Sequence, residues 1–382
     1  MTNYRPSWAE IDLRNLDYNF RLVKKIVGPK IKILVPVKAH GYGHGLIPVS
    51  KRLEKLGVDY LGVASIDEGI VLRNAGVTKP ILILGSILPG DIEPILRYRL
   101  TQAISTMDVA EKLNQAARSE NALALVHIKV DTGMHRMGVY YEEAYNFIKY
   151  IAGMDNIRIE GIFTHFPCAE EDTDFTKKQI EIFGSLIKRL EEAGINIPLR
   201  HAANSLGVID YPLSHFNLVR PGLMVYGLYP KQGIDSISVK LNNKKVNVKL
   251  RPLLTLKTKI VHINTVSAGK GVSYGYAYIT SRQTRIATLA MGYGDGYPRC
   301  LSNKAYCLIG GRRAKIVGNI CMDQMMADIT GIKNVAVGQE AVLIGRQDKE
   351  SVTAEELAQL AGTIPYEIVC DLGTRLSWVY KE

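Results

Sequence analysis

The sequence predicts an α/β fold, a (β/α)8 barrel of the TIM type over residues 1–245 followed by a mainly β domain over residues 246–382. Three observations lead there. Eight short β-branched segments recur before about residue 225, amphipathic stretches separate most of them, and beyond about residue 245 the pattern changes to strands joined by glycine turns. Strands alternating with helices make a parallel sheet, and eight such units close as a barrel.

In chain order, RPSWAEIDL comes first, and its strand, about residues 6–13, is a candidate to pair with the C-terminal domain. The barrel strands are then expected in KIKILVPVKA, VDYLGVAS, PILILGS, LTQAIST, LVHIKVDTG, IEGIFTHF, LRHAANS and FNLVRPG. Among the intervening helices, GLIPVSKRLEKLG puts Leu46, Val49, Leu53 and Leu56 on one face, and FTKKQIEIFGSLIKRLEEAG does the same with Phe183, Leu186, Ile187 and Leu190. Gly57, Gly76, Gly153 and Gly194 follow such stretches, where left-handed caps are expected. Further on, LLTLKTKIVHINTVSAG, TRIATLAMGYGDGYP, KAYCLIGGRRAKIVGNICMDQMMADI and VGQEAVLIG read as strands, and only TAEELAQLAG (353–362) as a helix.

Composition narrows the class. With 382 residues, 47% of them hydrophobic, the chain can bury a large core. The N-terminus MTNYRPSWAEIDL has no apolar signal region, and no stretch of about 18 uncharged apolar residues could span a bilayer, so neither secretion nor membrane insertion is expected. Cys168, Cys300, Cys307, Cys321 and Cys370 are scattered without C-x-x-C spacing, which fits a reducing cytoplasm better than disulfides or zinc. The net charge of +11 has one dense run, KLNNKKVNVKLR (240–251), which lacks interleaved aromatics and reads as a solvated linker or hairpin, so no nucleic-acid partner is expected. His40 and His44 have a ligand-like spacing but no further ligands nearby, so no metal is expected, and His44 reads as a hydrogen-bonded residue beside its loop. SAGKGVS lacks the spacing of a phosphate-binding loop.

Chemistry in such a barrel gathers where the strands end at their C-termini. Polar residues stand there in most units: Lys38, Ser65, Ser86, Lys129 with Asp131, His165, Asn204 with Ser205, and Arg220. A lysine buried at a strand end has a desolvated amine, so its neutral, nucleophilic form is accessible near pH 7 and a Schiff base becomes possible. For pyridoxal phosphate as the carbonyl partner, HAANSLGV and VRPGLMVYGL offer backbone amides and hydroxyls to the phosphate at the ends of strands seven and eight.

Nine strings, VPVKAHGYGHG, VDTGMHRMG, GIFTHF, HAANS, NLVRPGLMVYGL, GVSYGY, GYGDGYPR, NICMDQ and IPYEIVCDLGTR, run in this order over nearly the whole chain, and together they resemble bacterial alanine racemase. The resemblance implies a fold-type III pyridoxal 5'-phosphate enzyme, a cytoplasmic homodimer with shared active sites, interconverting L- and D-alanine and supplying D-alanine for peptidoglycan. It makes Lys38 the Schiff-base lysine and one catalytic base, and Tyr274 the opposite base, reaching in from the second subunit. Tyr42, Asn204, Ser205, Gly222, Leu223 and Tyr366 match cofactor-binding positions, with His165 also expected to bind the cofactor, Arg220 the residue facing the pyridine nitrogen, and Arg136 and Met322 the positions meeting the substrate carboxylate. The family pattern suggests that Lys129 is carbamylated.

Racemisation needs one group to remove the Cα proton and another to return it on the opposite face. A tyrosine does this only where cations stabilise its phenolate, for which His165, Arg220 and His201 are candidates, with Asp323 a further supporting residue. Two departures from the family pattern stand out. His40 and Gly41 occupy positions that are commonly asparagine and alanine, and Asn319 one that is frequently arginine. The alternatives are a serine or broad-specificity racemase, a barrel-type basic amino-acid decarboxylase, which calls for a carboxylate in place of Arg220, and a non-catalytic pyridoxal phosphate-binding protein, which lacks the β domain.

Overall fold

The computed structural model describes residues 4–230, 234, 236–241 and 244–382. β1 (Ser7–Asp12) leads into the helix Leu13–Val27, whose first turn is capped by the Asp12 carboxylate accepting from Arg14 N. There follow β2 (Lys32–Pro36), β3 (Tyr60–Val63), β4 (Ile81–Ile83), β5 (Thr101–Ile104), β6 (Ala124–Asp131), β7 (Val139–Tyr140), β8 (Ile157–Phe163), β9 (Leu199–His201) and β10 (Leu218–Val219). Apart from β7, which pairs only with β6, they form a parallel row in the order β10-β2-β3-β4-β5-β6-β8-β9. The ends of the row meet: Asn217 N donates to Arg200 O at 3.3 Å and Arg220 N to Ala203 O at 2.8 Å, closing a barrel. These eight strands are the eight segments expected from the sequence.

Their apolar runs are continuous because both faces are buried. Leu34, Tyr60, Leu82, Ala103, Phe163, Leu199 and Leu218 pack together inside the barrel, while Ile33, Val35, Leu61, Ile81 and Ile83 pack outward under the helices. β6 turns His127 inward beside Ala103. Gly161 on β8 makes room for it, since a Cβ there would stand 2.4 Å from the imidazole. The helix Thr173–Glu192 buries Phe183, Leu186, Ile187 and Leu190, the stripe its periodicity predicts. Gly57, Gly76 and Gly194 have the expected positive φ, but Gly153 does not, with φ −87°. Its helix ends instead in tight turns, Gly153 N to Tyr150 O at 3.1 Å and Met154 N to Ile151 O at 3.0 Å, which need no left-handed residue.

The lysine-rich run enters an antiparallel hairpin, β11 (Ile237–Leu241) and β12 (Lys244–Val248). Residues 242–243 of that run, like residues 1–3 of the N-terminal stretch, lie outside the described residues. Beyond it come β13 (Leu254–Val266), β14 (Gly271–Val272), β15 (Tyr278–Ile279), β16 (Thr284–Leu289), β17 (Tyr306–Ile309), β18 (Arg312–Val317), β19 (Met325–Asp328), β20 (Glu340–Gln347), β21 (Glu350–Val352) and β22 (Ser377–Lys381). The second sheet has the order β21-β20-β17-β18-β19-β16-β13-β1-β22. β1 sits in it between β13, antiparallel with Ala9 opposite Leu256, and β22, parallel with Ala9 opposite Trp378. Besides Ala354–Ala361, this half contains a second helix, Pro365–Cys370, that the sequence reading missed. Among the described residues, no helix is long and apolar enough to cross a membrane.

Candidate active site

A cavity of about 680 Å³ opens at the C-terminal ends of the barrel strands, against the helix Pro365–Cys370. Lys38, Tyr42, Lys129, Arg136, His165, Asn204, Ser205, Arg220, Gly222 and Tyr366 all line it. Ser65, Ser86 and Asp131 do not. Ser65 caps the helix Ile66–Asn74, and the Asp131 carboxylate accepts from the backbone N–H groups of Gly133, Met134 and His135.

Lys38 stands where β2 gives way to a left-handed turn. Ala39, His40, Gly41 and Tyr42 have φ of 51°, 55°, 63° and 53°. For the three residues with a Cβ this costs roughly 1–2 kcal/mol each, so surrounding contacts must hold the turn. Gly41 N donates to Val37 O, Gly45 N to His40 O, and the His44 ring bonds Tyr42 O at 2.6 Å. The Tyr42 ring stacks on Tyr226 at 4.8 Å between centroids. Glu68 adds a tether, accepting from Ala39 N through Oε1 and from Ala64 N through Oε2, both at 2.7 Å. Burial, and after it the Arg136 charge, hold the Lys38 amine below the ordinary lysine range, against an opposing pull from Glu68.

Four of the lining side chains are lysine or arginine, and no carboxylate joins them among the described residues. Lys129 is nearly fully buried over the Phe163 ring, and burial with the Arg220 and Arg136 charges lowers its pKa well below normal. Arg220 is drawn down to about 9 by burial, which leaves it charged at pH 7. Its Nη1 donates to His201 Nδ1 at 2.8 Å and to His201 O, and its Nη2 to Thr164 O, Ala202 O and, at 3.3 Å, His165 Nδ1. A guanidinium only donates, so both histidines accept at Nδ1 and carry their proton on Nε2. His201 Nε2 then donates to His127 Nδ1 at 2.9 Å. Burial and Arg220 hold His165 and His201 well below the usual histidine value, so both rings stay neutral. His201 is buried and does not line the cavity, which it reaches through Arg220. Arg220 Nε–H has no protein acceptor among the described residues.

At the other end, Asn204 caps the helix Ser205–Asp210 through Gly207 N. Ser205 Oγ accepts from Gly222 N at 3.0 Å and from Met224 N at 3.4 Å, which leaves its proton to donate outward. The Tyr366 hydroxyl is pushed up to about 12 and that of Tyr42 higher still, both by burial, so both remain donors. Leu223 is buried behind Gly222, outside the lining.

Tyr274 and Met322 are not in this cavity. They are 75% and 53% exposed on the β domain, on neighbouring loops linked by Ser273 Oγ and Cys321 Sγ at 3.7 Å. Asp323 is beside them, paired with Arg375 at 2.6 Å. Glu68 went unnoticed in the sequence reading. Its signal was the pair Ser65 and Glu68 at capping-box spacing, which announces a helix start but not the tether to Ala39.

The sequence model of the alanine racemase N-terminal domain matches residues 11–230, and that of the C-terminal domain residues 253–380. The chain belongs to the alanine racemase family. Alanine racemase of Halothermothrix orenii is 45% identical over 378 residues, covering 99% of this chain and 97% of that protein. Alanine racemase of Symbiobacterium thermophilum is 43% identical, covering 98% of this chain and 97% of its own length. Among solved structures, alanine racemase of Clostridium difficile 630 superposes with a TM-score of 0.90 at 39% identity, covering 99% of this chain and 96% of that one. A Bacillus anthracis alanine racemase with bound L-Ala-P gives a TM-score of 0.89 at 34% identity, covering 100% of this chain and 96% of that one. The likeness to alanine racemases read from the short motifs extends, on these matches, across both halves of the chain.

Proposed function

We propose that the protein interconverts L-alanine and D-alanine with pyridoxal 5'-phosphate, as a homodimer in which each site draws on both subunits. The cavity's donor set supports this most directly: four lysine and arginine side chains, the hydroxyls of Tyr42, Ser205 and Tyr366, and no carboxylate among the described residues, around a lysine with a depressed pKa. Such a set suits a ligand with a phosphate at one end and an amino-acid carboxylate at the other. The phosphate end also fits sterically, because a Cβ at Gly222 would stand 3.1 Å from the Tyr42 hydroxyl and fill the cradle. Tyr42, Asn204, Ser205, Gly222 and Tyr366 would hold the phosphate, with Leu223 supplying backbone, and Arg220 Nε would meet the ring nitrogen.

When bound, pyridoxal phosphate supplies the electron sink that makes the Cα proton of an amino acid removable. Lys38 Nζ takes or gives that proton on one face. Tyr274 Oη, exposed on its own chain, does so on the opposite face in the partner's cavity. The Nε2–H of neutral His165 stabilises that phenolate oxygen, with the Arg220 charge behind it. Arg136 orients the substrate carboxylate, and Met322 borders it. Arg220, a donor that stays charged, would meet the ring nitrogen of a bound cofactor without protonating it, which would favour return of the proton over side reactions. This activity would supply D-alanine for peptidoglycan from the cytoplasm.

Chiral chromatography tests the reading. Purified, cofactor-loaded protein should bring L-alanine to an equal mixture rapidly and L-serine more slowly, and Lys38→Ala should do neither. L-alanine left untouched by the wild type contradicts the assignment.

A further inference from the structure

The loop carrying Tyr274, between β14 and β15, is strained: Ser273, Gly275 and Tyr276 have φ of 69°, 66° and 50°. A serine and a tyrosine in the left-handed region persist only where neighbours over-determine them. One residue bonds the loop on both sides of the Cα of Tyr274. Asn319 Nδ2 donates to Tyr274 O at 2.8 Å, and Asn319 O accepts from Ser273 Oγ at 2.7 Å. Asn303 ties the same two segments further along, its Nδ2 donating to Ala277 O at 2.9 Å and its Oδ1 accepting from Gly318 N at 2.7 Å. The segments approach closely because residue 318 is glycine; a Cβ there would lie 2.6 Å from that of Ser273. The Tyr274 side chain projects into solvent on its own chain, so its placement is set through its backbone.

We propose that Asn319 is a positioning residue for the second base: by holding the Tyr274 carbonyl, its side-chain amide sets where the phenol enters the partner's cavity. This rests on the role of Tyr274 proposed above. Proton transfer is sensitive to small displacements of the transferring group, whereas most of the groups that would hold the substrate belong to the other subunit's cavity. Loss of the amide donor therefore slows the transfer made by Tyr274 and leaves that made by Lys38 intact.

The test compares ordinary and Cα-deuterated alanine in both directions with the wild-type holoenzyme, Asn319→Ala and Asn319→Asp, the last keeping the shape without the donor. The expected result is a fall in kcat of about tenfold with little change in KM. The primary isotope effect should grow for the enantiomer whose proton Tyr274 removes and not for the other. Asn319→Gln, which keeps a donor, should recover part of the rate. An isotope effect that is unchanged, or that grows equally for both enantiomers, overturns the positioning role. If Tyr274→Phe racemises alanine at the wild-type rate, the role of Tyr274 fails instead.

Discussion

At Lys129 a nearly fully buried amine faces two guanidinium groups, and both burial and their charges favour its neutral form. A neutral amine can add CO2, and the resulting carbamate would attract Arg136 where an ammonium repels it. A peptide spanning Lys129, prepared under mild non-acidic conditions in bicarbonate, should be heavier by one CO2, and an unmodified mass contradicts the idea. Glu68 acts at the same scale on the other lysine. Removing the carboxylate frees two backbone N–H groups at the base of a strained turn, so Glu68→Ala should destabilise the holoenzyme by about 1–3 kcal/mol in denaturant titration. A change within error would mean that the turn is held without it. The sequence displays Lys38 and Arg220 plainly, because a charged residue closing an apolar run is conspicuous. It hides Glu68, whose partner Ala39 lies 29 positions away and is brought near only by the barrel.

Elements were legible in proportion to how much their pattern repeats. The eight barrel strands stood out because each is buried on both faces, and Thr173–Glu192 because its 20 residues show the apolar stripe many times over. Pro365–Cys370 has 6 residues, fewer than two turns, so no periodicity could reveal it, although it brings Tyr366 to the cavity. The exposed tyrosine at 274 was legible only through its motif; nothing in its local pattern separates it from an ordinary loop residue. The segment from Asn204 to Gly222 carries its own prediction. A methyl group at Gly222 would crowd the Tyr42 hydroxyl at 3.1 Å, so Gly222→Ala should weaken pyridoxal phosphate binding about tenfold, read by equilibrium titration of cofactor absorbance. Unchanged affinity would show that the phosphate lies elsewhere.

For the whole molecule, the buried histidines set the response to acid. His44 and His127 are held by burial at about 4 and about 3, and His165 and His201 are also held well below the usual value. Below about pH 6.5 the unfolded chain protonates these rings while the folded chain does not, so stability falls as pH falls, by up to about 1.4 kcal/mol per histidine per pH unit. The Tm of the holoenzyme should therefore drop between pH 7 and pH 5, and a level Tm would count against neutral burial. The separation of Tyr274 from the cavity of its own chain is the feature on which the functional account depends, and mixing two inactive variants probes it directly. Lys38→Ala and Tyr274→Phe should each be inactive alone. Unfolded and refolded together in equal amounts, half of the dimers are mixed and each mixed dimer has one intact site, so about a quarter of the wild-type activity should return. If Lys38 and Tyr274 of one chain served the same site, no mixture of the two variants would regain activity, and the shared-site account would be wrong.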